Sequence, residues 1–456
     1  MHKLRSSWLA LIIATAFLNG CFSLNGLGTA QAEDNSQELF ETSEKLPMAE
    51  LELLTEVYGR IKRDYVDEIE DEKLFKAAIR GMLNELDAHT SYLDDEELEK
   101  LREGTRGEFG GIGLELSSDN GFVQVVAPID ETPASKAGLK TGDIITRVNG
   151  ESVRGIGINR IVNKLRGEPG TKVSLTIVRE GAAEPLSFEL ERDIIKIQSV
   201  RSRTLTPGYA YVRISQFQER TAADLHKALD DLIEENEDKG LKGMILDLRN
   251  NPGGVLNAAI SVSDAFLEGG QIVYTEGRAK GSRVDFDASD QDRIDGTPLV
   301  VLINRGSASG SEIVAGSLQD RDRAIIMGQT SFGKGSVQSV VPLLGGPAMK
   351  LTTARYYTPT GQSIDKKGVV PDIEVEDLRL AEAKQAERSK EAELEGLMPE
   401  AETDDRSAEE DKLRDLARDD YVLYEALNLL RGLNIVTKNS QKLPPGHSTT
   451  PVGRTP

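Results

Sequence analysis

The segment between residues 209 and 327 alternates short apolar runs, typical of strands, with longer amphipathic runs, typical of helices. This alternation constrains the fold more than any other feature of the chain. Strands interleaved with helices of this length indicate a layered α/β core. The strand-like runs are 209–214, 244–248, 271–274, 298–303 and 323–327, and the helix-like runs are 222–235, 256–266 and 312–318.

Two segments of this core end a strand and open a helix: Asp-Leu-Arg-Asn-Asn-Pro-Gly-Gly at 247–254 and Asn-Arg-Gly-Ser-Ala-Ser-Gly-Ser-Glu at 304–312. At a glycine-containing helix N-terminus the backbone amides point outward, where they can hold a developing negative charge. The sequence therefore predicts an oxyanion site, with the amide of Gly310 as one donor and that of Gly253 or Gly254 as the other.

Ser309 and Lys334, the latter within Ser-Phe-Gly-Lys-Gly-Ser-Val-Gln at 331–338, form the pattern of a nucleophile and its base. A serine hydroxyl near its ordinary pKa is a poor nucleophile, so it needs a neighbour that accepts its proton. A lysine whose charged form is disfavoured by desolvation can do so. Ser307 and Ser311 are close enough in sequence to be rivals for the same role. With the oxyanion donors, these residues predict acyl-transfer chemistry.

The same lysine completes Gly-x-x-x-x-Gly-Lys at 328–334, the pattern of a phosphate-binding loop. However, Gly335 replaces the Ser or Thr that would hold magnesium. Residues 336–341 also alternate like a strand, where such a loop should open a helix. A P-loop NTPase is therefore the weaker interpretation, and nucleotide-dependent thermal stabilisation would revive it.

A Ser/His/Asp hydrolase is a second alternative, because the chain contains His2, His89, His226 and His447. His2 lies in the charged start of the chain, His226 in the middle of a predicted helix and His89 in a turn of the N-terminal region. None of these three looks like a general base. No His or Cys residues are paired at metal-ligand spacing, so we predict no metal and no other cofactor.

Residues 106–191 switch to short alternating strands interrupted by one helix at 158–165. Within them, Thr-Pro-Ala-Ser-Lys-Ala-Gly-Leu-Lys-Thr-Gly-Asp-Ile-Ile-Thr-Arg-Val-Asn-Gly at 132–150 closely resembles the PDZ-domain signature. The run 111–114 occupies the place of the PDZ carboxylate loop, where backbone amides receive a terminal carboxylate while the peptide adds as a strand. An ordinary bend before a strand is the alternative. The predicted peptide-binding residues are Gly111, Ile112, Gly113, Leu114, Ile161 and Leu165.

The first 32 residues read as an export signal. A charged start precedes an apolar run at 8–17 that is too short to span a membrane as an ordinary helix. Two processing sites compete after it. Leu-Asn-Gly-Cys at 18–21 would place a lipid anchor on Cys21, whereas Ala-Gln-Ala at 30–32 fits a cut that releases a soluble product. Both predict export to the cell envelope, in the periplasm.

Two further regions are helical by pattern. Apolar residues recur at helical intervals within 33–105, and their faces must bury against their own chain or a second copy. After 378 the chain is densely charged until helical periodicity returns at 421–433. Together these regions favour a homo-oligomer. The predicted division is a signal peptide at 1–32, a helical region at 33–105, a PDZ domain at 106–191, a catalytic core at 192–378, a charged linker with a C-terminal helix at 379–435 and a disordered tail at 436–456.

The strongly acidic composition limits the partners. A formal net charge of -21 argues against nucleic acid or an anionic membrane surface, because such partners select for basic patches. At 456 residues the chain is long enough for two or three domains. Its single cysteine, Cys21, excludes an internal disulfide.

In their order along the chain, these features resemble the carboxyl-terminal processing (tail-specific) proteases over about residues 50–375. The resemblance rests on the export signal, the helical start, the PDZ-like domain and the segments at 247–254, 304–312 and 331–338. It implies an α/β multidomain fold. The expected parts are a helical N-terminal region, an α+β PDZ domain, a ClpP/crotonase-like serine protease core and a helical C-terminal extension.

The resemblance also implies roles for single residues. Ser309 becomes the nucleophile in preference to its two serine neighbours, Lys334 the general base and Gln338 the residue that orients the lysine. Asp320 stands where the family often has an acidic residue. Gly310 stands where an alanine is more usual, which matters little if only its amide is used. The family resemblance also allows a dedicated adaptor protein.

The expected function is that of an exported serine endopeptidase that recognises C-terminal regions of envelope proteins through its PDZ domain and cleaves them with a Ser/Lys dyad. Because Lys334 must be uncharged to act, activity should rise with pH as its amine loses a proton. A non-enzymatic scaffold that only binds protein tails is the third alternative. Unchanged cleavage by a Ser309→Ala variant would exclude Ser309 as the nucleophile.

Overall fold

The computed structural model describes residues 47–119, 122–238, 240–376 and 405–442. The predicted signal peptide at 1–32 lies outside these residues, as does most of the predicted charged linker. The chain divides into two compact units at the bond between Lys76 and Ala77. Among the helices that the structure describes, none is both long and apolar enough to cross a lipid bilayer.

The predicted helical N-terminal region contains helices α1 (Met48–Asp64) and α2 (Asp71–Asn84). In the first unit, the rings of Tyr58 and Phe75 lie with their centroids 5.2 Å apart. α1 has no buried residue. Most of its apolar side chains are therefore exposed, namely Met48, Leu51, Leu53, Leu54 and Val57.

The second unit continues with strand β1 (Ser91–Leu93) and helix α3 (Asp95–Arg106). α3 begins with a capping box, because the Asp94 carboxylate accepts from the Glu97 amide at 2.9 Å and the Glu97 carboxylate accepts from the Asp94 amide at 3.0 Å. It ends at Gly107, whose φ of 73° lies in the left-handed region. Both ends of α3 are thus fixed by local chemistry.

The PDZ-like domain is an antiparallel sheet with two helices. Strands β2 (Glu108–Gly111) and β9 (Asp193–Lys196) pair with each other and form a stem at the base of the domain. Apolar residues from the sheet and from the longer helix fill one hydrophobic core. The elements between the stem strands are β3 (Leu114–Asp119), β4 (Phe122–Pro128), α4 (Pro133–Lys136), β5 (Ile144–Val148), β6 (Glu151–Ser152), α5 (Ile158–Leu165), β7 (Lys172–Val178) and β8 (Leu186–Glu191).

A six-stranded sheet forms the centre of the second unit. Its strands lie side by side in chain order, and all but the first run parallel. Three helices cover one face, as a buried parallel sheet requires. The strands are β10 (Val200–Thr206), β11 (Tyr209–Ile214), β12 (Gly243–Asp247), β15 (Leu299–Ile303), β16 (Ala324–Gly328) and β19 (Ile373–Glu374), and the helices are α6 (Thr221–Glu235), α7 (Leu256–Asp264) and α8 (Gly310–Asp320).

A second, antiparallel sheet lies beside this layer. Its long strand β18 (Ala348–Tyr357) pairs with β17 (Ser336–Pro342) along one edge. Along the other edge, β18 pairs with β1 at one end and β13 (Glu268–Gly277) at the other. The last strand, β14 (Val284–Asp290), pairs with β13.

The C-terminal extension contains helices α9 (Asp405–Asp419) and α10 (Tyr421–Lys442). α10 runs beyond the predicted helix at 421–433, and residues 436–442, which we expected to be disordered, are helical. The buried side chains of α10 cover the second face of the central sheet. The layered α/β core predicted from the alternation at 209–327 is thereby confirmed, with cover on both faces.

Candidate active site

One cavity of about 520 Å³ gathers most of the residues predicted for catalysis. Ser309, Lys334, Gln338, Gly253 and Gly254 all line it. Its remaining walls come from α3, from the loop after β11 and from strands β17 and β18. The structure therefore brings segments that are distant in sequence to one place.

Ser309 occupies the turn that opens α8. Its φ of 53° and ψ of -108° are unusual for a residue with a side chain, because the left-handed region is costly outside glycine. Its side chain is largely buried, with 7% of the residue exposed. A strained conformation maintained at this position is typical of a functional residue held by its surroundings.

The two neighbouring serines have structural partners. The Ser307 hydroxyl donates to the Leu248 carbonyl at 2.8 Å, and the Ser311 hydroxyl donates to the Asn251 carbonyl at 2.9 Å. Both residues are fully buried and neither lines the cavity. Of the three candidate serines, only Ser309 therefore faces the space that a substrate could enter.

Lys334 lies in the loop before β17 and is half-buried. Burial lowers the pKa of its amine, and the positive charge of Lys350 lowers it further, whereas the Glu312 carboxylate opposes the shift. Among the described residues no hydrogen bond joins this amine to the Ser309 hydroxyl. The two groups share the cavity without this hydrogen bond, and hydrogen bonds between catalytic groups are often long or absent in unliganded enzymes.

Glu312, which sequence reasoning did not single out, ties the two catalytic loops together. It is fully buried, and its carboxylate accepts four hydrogen bonds. The donors are the amides of Ser309 at 2.7 Å, Lys334 at 2.9 Å and Gly333 at 2.6 Å, and the hydroxyl of Ser331 at 2.5 Å. The one sequence signal was the Ser-x-x-Glu spacing of a capping box at the start of α8.

The glycines around Lys334 are required by a close crossing of the chain. A Cβ atom on Gly335 would lie 2.3 Å from the Asp365 amide nitrogen, and Gly333 has a φ of 88°. The segment that follows is strand β17 and not a helix. The loop therefore lacks the helix N-terminus on which a phosphate-binding loop depends, which removes the structural basis of the NTPase alternative.

Gln338 lines the cavity, but in the described structure it makes no hydrogen bond to the lysine amine. Its amide nitrogen donates to the Ser336 hydroxyl at 2.8 Å and approaches the Thr352 hydroxyl at 3.5 Å. A register shift in the pairing of β17 with β18 lies between Val337 and Gln338, and both side chains reach the cavity. In the structure, then, the residue predicted to orient Lys334 lies near it without a hydrogen bond to it.

The predicted oxyanion donors are not equivalent. The Gly253 amide donates to the Asn251 side-chain oxygen at 2.9 Å and is therefore occupied. In the described part of the chain, no acceptor pairs with the amides of Gly254 and Gly310. A Cβ atom on Gly253 would lie 2.7 Å from the Ser309 Cβ, so this glycine lets the two loops approach closely. The geometry favours Gly254 over Gly253 as the second donor.

Asp320 is not part of this site. It is the last residue of α8, at the opposite end of the helix from Ser309. Its carboxylate accepts from the amide of Thr360 at 3.0 Å and from the hydroxyl of the same residue at 2.6 Å. These contacts fix an exposed turn, and the structure does not bring Asp320 to the cavity.

A buried ion-pair chain supports the segment that carries Gly253 and Gly254. Asp247, which is fully buried, pairs with Arg249 at 2.7 Å, and Arg249 pairs with Asp420 at 2.6 Å. Hydrogen bonds from Arg249 lower the pKa of Asp247 against the opposing effect of its burial. This chain connects the oxyanion segment to the start of α10.

None of the histidines in the described part of the chain lines the cavity. His226 is half-buried on α6, where burial, followed by the charge of Arg293, lowers the pKa of its imidazole. The amide of His89 donates to the Asp87 carboxylate at 2.7 Å in a turn, while His2 and His447 lie outside the described residues. The described residues also contain no group of three or more His, Cys, Asp or Glu that could hold a metal ion.

The predicted peptide-binding residues of the PDZ-like domain lie close together but differ in exposure. Ile161 and Leu165 of α5 are buried in the domain core, as is Ile112. Gly113 has a φ of 77°, and Leu114 begins β3. The loop 111–114 therefore turns at Gly113 before β3, and its role as a carboxylate loop stays a prediction, whereas the two α5 residues serve the core in this conformation.

Comparison with known proteins places this geometry in a family. Family models match Peptidase family S41 at residues 208–375, a PDZ domain at 124–179 and the Activating protease CtpB N-terminal domain at 16–97. A carboxy-terminal-processing protease of Bartonella bacilliformis is 44% identical over 399 residues, covering 87% of this chain and 92% of the relative. The carboxy-terminal processing protease CtpA of Bacillus subtilis is 36% identical over 343 residues, covering 75% and 72%. A solved photosystem II D1 C-terminal processing protease is 33% identical, with a TM-score of 0.43, and the match covers 72% of this chain and 93% of that one.

The matched domains define a PDZ-containing serine-type endopeptidase. The chain belongs to the family of carboxy-terminal processing proteases. The predictions of the family, the fold class and the enzyme class are therefore confirmed.

Proposed function

We propose that this chain is an exported serine endopeptidase that captures C-terminal regions of envelope proteins on its PDZ domain and cleaves them with Ser309 and Lys334. The observation that carries the proposal is the shared cavity. It is lined by a hydroxyl on a strained backbone and by a lysine whose pKa is lowered. Export is supported by the pattern of the first 32 residues alone.

Acylation follows from the groups in the cavity. The uncharged amine of Lys334 takes the proton from Ser309 Oγ, which attacks the carbonyl carbon of the scissile bond. The amides of Gly310 and Gly254 donate to the oxygen that becomes negative. Lys334 then gives its proton to the leaving amine, and an acyl-enzyme remains. In the second half of the reaction the same lysine takes a proton from water, which attacks the ester and releases Ser309.

A conformational step must precede this chemistry, since Ser309 and Lys334 share a cavity without a hydrogen bond between them in the described structure. We place the movement in Lys334 and Gln338, whose side-chain amine and amide would then pair. The connectors near 104–108 and 192–207 are the proposed hinges. They contain or adjoin the stem strands β2 and β9, so capture of a peptide by the PDZ domain can act through the stem.

The nucleophile can be located with a fluorophosphonate, which bonds covalently to an activated serine. We expect mass spectrometry to find the label on Ser309, and the Ser309→Ala variant to lose both the label and cleavage of a protein with an unfolded apolar tail. Ser307→Ala and Ser311→Ala are matched controls that should still take the label. Label on either of these serines, or unchanged turnover by Ser309→Ala, would contradict the proposal.

The role of the PDZ domain can be tested at the stem. Because Gly111 and Asp193 are paired across antiparallel strands, residues 112–192 can be replaced by an Asn-Gly turn that closes a hairpin. If capture drives closure, cleavage of the tailed protein falls to background while the unfolding midpoint of the core persists. Undiminished cleavage would instead show that the domain restrains the site.

Export and assembly need separate measurements. Mass spectrometry of the mature protein should find an N-terminus after Ala32 or a lipid on Cys21, and an uncleaved chain would contradict export. Light scattering on the mature chain tests the proposed homo-oligomer. Trapping partners on Ser309→Ala would capture protein substrates and an adaptor protein, if one exists.

A further inference from the structure

One buried hydroxyl in the catalytic cavity has no part in the scheme above. Tyr356 is 5% exposed and lines the cavity with Ser309 and Lys334. It lies near the end of β18, far in sequence from both residues. A buried tyrosine hydroxyl generally has a hydrogen-bond partner, so its surroundings reveal its role.

The backbone fixes the direction of this side chain. The Tyr356 amide donates to the Gly335 carbonyl at 2.8 Å, which places it beside the lysine loop. Alternate residues of a strand face the same side, and Lys350 and Tyr356 of β18 both line the cavity. The next residue, Tyr357, faces the other way and stacks on Tyr274 with ring centroids 4.9 Å apart.

The Ser309 hydroxyl is the neighbour of the Tyr356 hydroxyl that affects its ionisation, and both side chains are buried and line the same cavity. Burial raises the pKa of Tyr356 to about 12, although the contact with Ser309 opposes the shift. The phenol therefore keeps its proton at neutral and mildly alkaline pH. It can donate to the serine oxygen but does not compete with the lysine as a base.

We propose that Tyr356 is a further catalytic residue, which donates a hydrogen bond to Ser309 Oγ while that oxygen carries negative charge. The inference rests on the proposed role of Ser309 as nucleophile. As Lys334 removes the serine proton, the phenol O–H stabilises the developing alkoxide. When the acyl-enzyme breaks down, the same oxygen leaves with the bonding electron pair, and the phenol stabilises it again until the lysine returns a proton. The phenol itself is neither deprotonated nor consumed.

The direct test is Tyr356→Phe, which removes one oxygen atom and keeps the buried ring. We expect kcat and the rate of fluorophosphonate labelling to fall together by about 10- to 100-fold, the loss expected for one hydrogen bond to a charged group. KM should change little, because the proposed partner of the phenol is the nucleophile and not the substrate. Tyr357→Phe, on the neighbouring residue outside the cavity, should leave both rates unchanged.

The pH profile separates this role from a merely structural one. Tyr356→Phe should lower activity by the same factor at every pH, with the rise that reports Lys334 at an unchanged midpoint. As a second variant that preserves the fold, 3-fluorotyrosine at position 356 keeps the hydroxyl but makes it more acidic. We expect this protein to be active at neutral pH and to lose activity at alkaline pH, where the phenolate can no longer donate.

The outcomes distinguish this inference from the proposed function. Absence of any label on Ser309 in the unaltered protein would overturn the proposed function itself. Normal labelling of Ser309 with an unchanged rate in Tyr356→Phe would overturn only the role of Tyr356. A rise in KM with unchanged kcat would also overturn it, as would a fluorotyrosine protein with an unaltered pH profile.

Discussion

The two halves of the catalytic cavity differ in how far they are assembled. On the serine side, the backbone of Ser309 is held in a strained conformation, and the amides of Gly254 and Gly310 have no competing acceptor in the described chain. On the lysine side, the backbone of Lys334 is held by Glu312, but within the described residues its amine makes no hydrogen bond to Ser309 or Gln338. The proposed nucleophile and its proposed oxyanion site are thus prepared in advance, while the proposed proton acceptor is not.

This difference suggests where a protease of this kind can be controlled safely. An endopeptidase with a permanently assembled dyad would endanger its neighbours. Glu312 already fixes the backbones of both loops, so the proposed movement can be confined to side chains. Regulation would then act on the side chains of Lys334 and Gln338 and on strand β17. The strained serine loop would not have to reform in each catalytic cycle.

The largest expected effect comes from removing the proton acceptor. Lys334→Met should lower kcat/KM by roughly 1,000-fold or more, because general-base catalysis is lost while the oxyanion donors remain. Cleavage of the tailed protein and fluorophosphonate labelling both measure this. Lys367→Met, an exposed lysine on the neighbouring loop, is the control and should retain full activity. Comparable loss in the control, or retained activity in Lys334→Met, would contradict the assignment.

The next effect tests whether both loops depend on one carboxylate. Glu312→Gln keeps the shape of the side chain but replaces one carboxylate oxygen, an acceptor, with an NH2 group that faces hydrogen-bond donors. The carboxylate of Glu312 accepts from four donors, so we expect a loss of about 2–4 kcal/mol in the free energy of unfolding. Activity should fall about 100-fold because Ser309 and Lys334 lose their relative position. Asp320→Asn, on the exposed end of the same helix, is the matched control for chemical denaturation and for turnover. If Asp320→Asn lost as much activity as Glu312→Gln, Asp320 would affect catalysis although it does not line the cavity.

A smaller effect is expected at the support of the oxyanion segment. Asp420→Asn removes the bidentate pairing with Arg249, whose contacts measure 2.8 and 2.6 Å, and should lower the free energy of unfolding by about 2 kcal/mol. Asp415→Asn breaks an exposed pair with Arg418 and should change the unfolding free energy by less than about 0.5 kcal/mol. Urea denaturation measures both. Equal effects would show that α10 does not support this segment through Arg249.

Structural features that depend on residues close together in the sequence were predicted well. The alternation at 209–327 indicated the α/β core, and the glycine-containing segments led to Ser309 and Lys334, which share one cavity in the structure. Local pattern also favoured three possible oxyanion glycines. It could not tell that the Gly253 amide is already bound to Asn251, because side-chain contacts of this kind depend on the exact path of the turn.

The residues missed by sequence analysis are brought to the site by long-range strand pairing. Tyr356 and Lys350 reach the cavity only because β18 pairs with β17 in a particular register. A shift of one residue would point both side chains away. Glu312 was missed for another reason. A Ser-x-x-Glu pattern indicates an ordinary helix cap, and nothing in it reveals that the same carboxylate also holds the loop of Lys334.

The smallest expected effect concerns the positive charge of Lys350, which lies in the cavity with Lys334. Lys350 lies in the same cavity, and its positive charge helps to lower the pKa of Lys334. Lys350→Met removes this repulsion, so the pKa of Lys334 rises and a smaller fraction of its amine is uncharged at neutral pH. If activity rises with pH as the amine loses its proton, as predicted above, the midpoint of the rise should move to higher pH. Activity at neutral pH should fall a few-fold, while the alkaline plateau stays unchanged.

The control for this shift is Lys100→Met. Lys100 also lines the cavity, but its amine pairs with Glu96 at 2.6 Å, so its charge is already largely compensated. The pH profile of kcat/KM should keep its midpoint in this variant. A midpoint that stays in place in Lys350→Met, or moves to lower pH, would mean that burial alone sets the proton affinity of Lys334. The lysine side of the cavity would then be prepared by desolvation and not by the neighbouring charge.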